Sequence, residues 1–184
     1  MSSMAVRSHS VRQCRDNLWM RSDAGPLVSR EFLSAYISGY ADGEGCFTVS
    51  IAPRATLSVG WEVRPSFSVS QNGDRAEVLY ALAGYFGCGS IRPDRSDKTL
   101  KWETRKLDDL VGRVVPHFVR YPLLSAKQQD FERFAFVCRL MADGEHRSRL
   151  GLVKIASIAR EMNPSGRRRY DADELIATLL RDQR

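Results

Sequence analysis

Lysine is scarce in this chain: only Lys98, Lys101, Lys106, Lys127 and Lys154 stand among 28 basic residues, and the rest are arginine. Heavy arginine use suits bidentate contacts to phosphate and guanine, and it equally suits a GC-rich genome. Long apolar runs are missing. No stretch approaches the ~18 residues of a membrane span, so no membrane association is expected. Cys14, Cys46, Cys88 and Cys138 lie far apart, without the C-x-x-C pair that suggests zinc, and reduced thiols in an intracellular protein are expected. Residues 1–28 carry Arg7, Arg12, Arg15 and Arg21 but no apolar core, which excludes a secretory signal; Asp16 and Asp23 count against an organelle transit segment. A frayed or weakly docked arm is the expectation there. What the chain does have is 184 residues, enough for one domain, and a net charge of +6 that favours a polyanionic partner.

The most informative stretch runs from Ser29 to Ala52. Tyr36, Gly39, Tyr40 and Gly43 recur at helical spacing on one face, with Leu33, Ile37 and Ala41 on another. Glycines on a helix face let another backbone approach, so two packing partners are expected. The helix ends in Asp42 and Glu44 between Gly43 and Gly45, and from Cys46 the pattern alternates as a strand: Phe47, Val49 and Ile51 on one side, Cys46, Thr48, Ser50 and Ala52 on the other. On the residues alone, the two acids are either solvated turn residues or ligands for a metal such as Mg²⁺, which keeps several waters and takes one or two carboxylates plus substrate phosphates.

The run Tyr36-Ile-Ser-Gly-Tyr-Ala-Asp-Gly-Glu-Gly-Cys-Phe47 resembles the signature of the LAGLIDADG homing endonucleases, in the variant whose last acid is glutamate. Position by position, Gly39 falls on the helix-packing glycine, Asp42 on the first acid and Glu44 on the metal-binding acid. The resemblance implies an α+β fold, αββαββα, with a saddle-shaped antiparallel sheet lying on DNA and, here, extra C-terminal helices.

The remaining residues fit that plan. Pro53 to Gly60 reads as a hairpin loop. The next strand puts Trp61, Val63, Phe67 and Val69 on one side and Glu62, Arg64, Ser66, Ser68 and Ser70 on the other, a polar ribbon suited to a major groove, although any half-solvated sheet alternates this way. A helix over Ala76–Phe86 is expected, capped by Asp74 and ended by Gly87, followed by strands over Cys88–Arg92 and Thr99–Arg105. Lys106 to Phe118 reads as a helix broken by Pro116, and Ser125 to Met141 as another. Met141-Ala-Asp-Gly-Glu145 repeats the acidic string, but no alternating strand follows, so a single motif is read and, with it, a homodimer packed through Tyr36, Gly39, Tyr40 and Gly43. Leu152, Ile155, Ala156, Ile158 and Ala159 mark a further helix, Arg167 to Arg169 a basic cluster, and Asp171 with Glu174 the cap of a last helix.

The resemblance thus covers about residues 30–165 and divides the chain into an arm (1–28), an endonuclease domain (29–165) and a basic tail with a short helix (166–184). It implies site-specific hydrolysis of double-stranded DNA at a long near-palindromic target, with Mg²⁺ or Mn²⁺ as cofactor. Glu44 and Gly43 are the implied metal ligands, and Glu44, Gln71, Arg75 and Lys127 the implied catalytic set. DNA contacts are expected from Ser50, Arg54, Arg64, Ser66, Ser68, Ser70, Arg92, Arg95, Lys98, Lys101, Glu103 and Arg105. Two alternatives on the same fold are an RNA splicing maturase, the one case in which RNA is the partner, and a non-catalytic DNA-binding protein. An HNH-type nuclease fits poorly because His9, His117 and His146 are isolated. The expected compartment is intracellular, bacterial cytoplasm in preference to an organelle.

Overall fold

The computed structural model describes residues 28–94, 99–163 and 172–181. The expected N-terminal arm up to Leu27, Arg95 and Lys98, the basic cluster Arg167 to Arg169 and the Asp171 cap lie outside the described residues.

Ser29 opens the first helix, α1 (Arg30–Glu44), by accepting the Phe32 N–H on its hydroxyl at 3.1 Å. The helix buries Ser34, Ile37, Ser38 and Ala41, and its chain passes straight into β1 (Gly45–Pro53). Strand β2 (Trp61–Asn72) returns antiparallel, Phe47 opposite Phe67 and Ser50 opposite Arg64. After a 3-10 turn (Gly73–Arg75) comes α2 (Glu77–Phe86), which stops at Gly87, left-handed at φ 60. Asp74 sits inside that turn and makes no capping bond, a correction to its expected role. Strands β3 (Ser90–Pro93) and β4 (Thr99–Thr104) complete a sheet of order β1-β2-β4-β3, antiparallel throughout.

The next helical stretch runs on from α3 (Leu107–Asp109) through a π-helical turn (Leu110–Val114) into α4 (Val115–Arg120). Pro116 does not break it, contrary to expectation. The wider turn precedes the proline, which then stands in the first turn of α4, where its missing N–H costs little. Helices α5 (Lys127–Ala142), α6 (Arg149–Arg160) and α7 (Ala172–Arg181) follow. The order through α4 is the expected αββαββα, with α5 to α7 as the C-terminal additions.

Among the described residues the apolar clusters lie on one face of the sheet. Phe47 stacks on Phe67 at 4.7 Å, and Phe118, Phe131, Phe134 and Trp102 close round them with Ile37 and Ala41 of α1. A second cluster joins Val63 to Val137, Leu140, Leu152, Ile155, Leu175 and Leu179, so α7 docks on the same body. α1 is held by polar bonds as well. Ser38 donates its hydroxyl to Tyr121 O at 2.7 Å and thus accepts from His117 Nε2 at 3.2 Å, while Tyr85 OH meets Nδ1 at 2.9 Å. Burial pushes the His117 pKa down to about 4, so the ring is neutral.

Candidate active site at the tip of the first helix

The two faces of α1 have different fates. Ile37 and Ala41 are each 1% exposed, whereas Phe32 is 64% and Tyr36 44% exposed, and Gly39 and Gly43 lie open beside them. A methyl group built on Gly39 or Gly43 would meet nothing within 4 Å among the described residues, so neither glycine is needed to pack those residues on one another. Gly45, by contrast, presses on the Ala41 backbone and leaves no room for a side chain.

At the C-terminal end of α1 the last carbonyls would stand unsatisfied and negative. Lys127 answers them: its ammonium donates to Ala41 O and to Gly43 O, both at 3.1 Å. A lysine in the first turn of α5 looks misplaced against its own helix, but its charge lies at the end of another. Asp42 works in the opposite direction, accepting Leu124 N–H at 3.1 Å, Ser125 N–H at 3.0 Å and the Ser125 hydroxyl, and so fastening the turn that starts α5. Partial desolvation opposes its charge, but those bonds and nearby Lys127 hold its carboxyl below the ordinary value. Asp42 is therefore a structural clasp.

Glu44 is different. It is exposed at the tip, and its side chain makes no hydrogen bond or ion pair among the described residues. Near it lies Tyr40, whose hydroxyl accepts from Gln71 Nε2; Gln71 Oε1 takes the Asn72 N–H at 2.7 Å. Burial pushes the Tyr40 phenol up, the Gln71 bond opposes this, and the charge on Glu44 adds to it, so the phenol stays protonated. Lys127 and Gln71 thus both bond to the last turns of the helix that ends in Glu44. Arg75 is exposed in the turn after β2 and no contact among the described residues ties it to them. The Gly43 carbonyl, an expected metal ligand, already accepts from Lys127.

Tyr40 as the link between Gln71 and Glu44 was not legible beforehand; its place on the glycine face pointed outward instead. Asn163 was missed too: left-handed at φ 45, it donates Nδ2–H to Phe47 O at 2.7 Å and its N–H to Asp130 at 3.2 Å, closing the end of α6 onto β1.

On the polar face of the sheet, Ser50, Arg64 and Arg92 are exposed, and Ser66, Ser70 and Lys101 are half-exposed. Arg54 and Arg105 are open at the rim. Two expected readers do not fit that description. Ser68, 4% exposed, is shut in mid-sheet between Cys46 and Glu103, and Glu103 itself is buried and ion-paired to Arg92 and Arg105.

The sequence profile of the LAGLIDADG endonucleases matches residues 37–138. The chain belongs to the LAGLIDADG endonuclease family. It is 35% identical to the homing endonuclease I-TnaI, covering 82% of this chain and 97% of that one, with a TM-score of 0.71. The I-LtrWI LAGLIDADG homing endonuclease bound to target DNA is 34% identical, with a TM-score of 0.70 over 72% of this chain and 45% of that one. A probable intron-encoded endonuclease of Neurospora crassa is 27% identical over 70% of this chain, which spans only 29% of the relative's length. Further relatives come from Podospora anserina and Aeropyrum pernix, so the comparisons lend no support to the expected bacterial compartment. Among the described residues no helix is long and apolar enough to cross a membrane, and Cys46, Cys88 and Cys138 are free thiols.

Proposed function

We propose that this LAGLIDADG chain is a homodimeric, divalent-metal-dependent endonuclease that cuts double-stranded DNA at a specific, near-palindromic site inside a cell. The observation that carries the reading is Glu44: among the described residues it is an unpartnered carboxylate at the tip of a helix whose adjoining Tyr36, Gly39 and Gly43 face is also open. Joining two copies through that face brings two such carboxylates together. The relatives' sizes favour the same assembly, since the chain matches nearly all of I-TnaI but less than half of I-LtrWI.

The residues suit Mg²⁺ or Mn²⁺. No three ligating side chains cluster among the described residues; the helix tip of one copy offers the Glu44 carboxylate, and two copies offer the pair that such an ion takes alongside water and phosphate oxygens. Bound ions would supply an activated water and neutralise charge on the leaving 3′ oxygen. Lys127, anchored on two carbonyls, keeps donor capacity for a phosphate oxygen as charge develops there. Gln71 and Tyr40 form a fixed polar wall beside the scissile position, and Arg75 reaches the flanking phosphates. Arg54, Arg64, Ser66, Ser70, Arg92, Lys101 and Arg105 meet the groove.

Incubating the protein with DNA spanning the intron-free insertion site of its gene, with Mg²⁺ or with chelator, tests this. Metal-dependent double-strand cleavage that is lost in Glu44→Gln with binding retained is expected. Cleavage that survives Glu44→Gln would overturn the assignment, and stimulation of splicing without DNA cleavage would favour the maturase instead.

A further inference from the structure

Four arginines on the polar face of the sheet do not act alone. Glu103, 7% exposed, is gripped by two of them: Arg105 donates an NH2 hydrogen to Oε1 at 3.1 Å and brings its Nε to 3.0 Å from Oε2, and Arg92 donates through NH2 to Oε2. Glu62 holds the other two, Arg54 at 2.9 Å and Arg64 at 2.6 Å, both to Oε2. The four guanidinium groups remain about half exposed.

Stability does not explain these clusters. Exposed ion pairs contribute little, and a buried carboxylate costs desolvation that its partners only roughly offset. Nor does attraction to a polyanion explain them, since each glutamate cancels one of two positive charges on the face that would meet phosphates. What a bridging carboxylate does provide is orientation. A guanidinium tied to a carboxylate, by one nitrogen in Arg54, Arg64 and Arg92 and by two in Arg105, swings less, and its remaining N–H donors are narrowed in direction. That is what a bidentate contact to guanine O6 and N7 requires. The neighbouring serines are poorer readers, because a hydroxyl pairs with several bases and Ser50 already donates to Arg64 O at 3.2 Å.

We infer that Glu62 and Glu103 are positioning residues that aim arginines at guanines, so that each half of the DNA target carries two guanine-bearing positions. Glu103 lies opposite Ser68 in the ladder, six residues along β2 from Glu62. That separation is about 20 Å of strand, roughly four to six base pairs for a ribbon following the major groove. This rests on the polar face being the DNA surface. Glu103 then never touches a base and is not the reader of cytosine that a free glutamate would be.

Selection of bound duplexes from a randomised library by the full chain, without cleavage-supporting metal, tests this. Two guanine positions per half-site at that spacing are expected for the unaltered protein. Glu103→Gln should reduce discrimination for guanine at one of them by roughly fivefold to a hundredfold, with unchanged or tighter binding to scrambled DNA because a negative charge is gone. Glu62→Gln, at a more exposed site, should do the same at the other position and serves if the buried substitution impairs folding. Enriched sequences whose guanine preference survives both substitutions, or that show a cytosine requirement lost in Glu103→Gln, overturn the inference while leaving DNA binding intact. Failure to enrich any sequence overturns the DNA reading and the inference with it.

Discussion

The tetrapeptide Ala-Asp-Gly-Glu occurs twice, at Ala41–Glu44 and at Ala142–Glu145, each time at the end of a long helix, and the two copies do opposite things. In the first, the helix runs through Gly43 to Glu44 because Lys127 satisfies its last carbonyls and Asp42 is clasped by Leu124 and Ser125; β1 follows without a turn. In the second, the helix stops at Ala142, Gly144 turns left-handed at φ 82, and Glu145 enters a 3-10 turn and pairs with Lys154 at 3.5 Å. One glutamate is left open at a tip; the other is paired on a flank. What distinguishes them is the partner each string meets.

Ranked by expected size, the following substitutions set the two copies against each other. Glu44→Gln should abolish cleavage in a plasmid assay, whereas Glu145→Gln should leave it intact; equal losses would erase the distinction. Replacing Lys127 by methionine should slow cleavage by about 10²- to 10³-fold, the scale of losing one charge-stabilising donor, while Lys154→Met should leave the rate close to normal. Gly39→Leu should leave the fold intact, since nothing lies within 4 Å of its Cβ position, yet shift sedimentation from dimer to monomer. Gly144→Ala should instead cost about 1 kcal/mol in denaturant unfolding because of its positive φ, with assembly unchanged. Asp42→Ala should cost about 1–2 kcal/mol, as a lost cap does, against a few tenths for Asp143→Ala. The Asp42 contribution also has a pH signature. A carboxyl held below its ordinary value stabilises the fold fully above that value and stops doing so as pH falls through its folded value, so Asp42→Ala should narrow its gap from the parent as pH falls below the ordinary carboxylate range.

Much of this was legible from residue spacing. The glycine face, the strand alternation and the order of elements follow from periods of 3.6 and 2, which reflect one-sided burial of helices and sheet. The failures came where distant residues decide. Pro116 looked like a stop because its effect was judged within one helix, and a π turn beside it absorbed the mismatch. Lys127 looked misplaced because the helix end it serves lies 86 residues earlier in sequence. Glu103 looked like an exposed reader because alternation gives the face a side chain occupies, not whether neighbouring arginines close over it.

The most direct check is the mass of the protein on its target duplex, measured by sedimentation with enough Ca²⁺ to hold the complex uncut. Two chains of 20.8 kDa per duplex are expected, their Glu44 tips sharing one site. A single chain bound to a duplex that it cuts on adding Mg²⁺ would contradict the paired-carboxylate site.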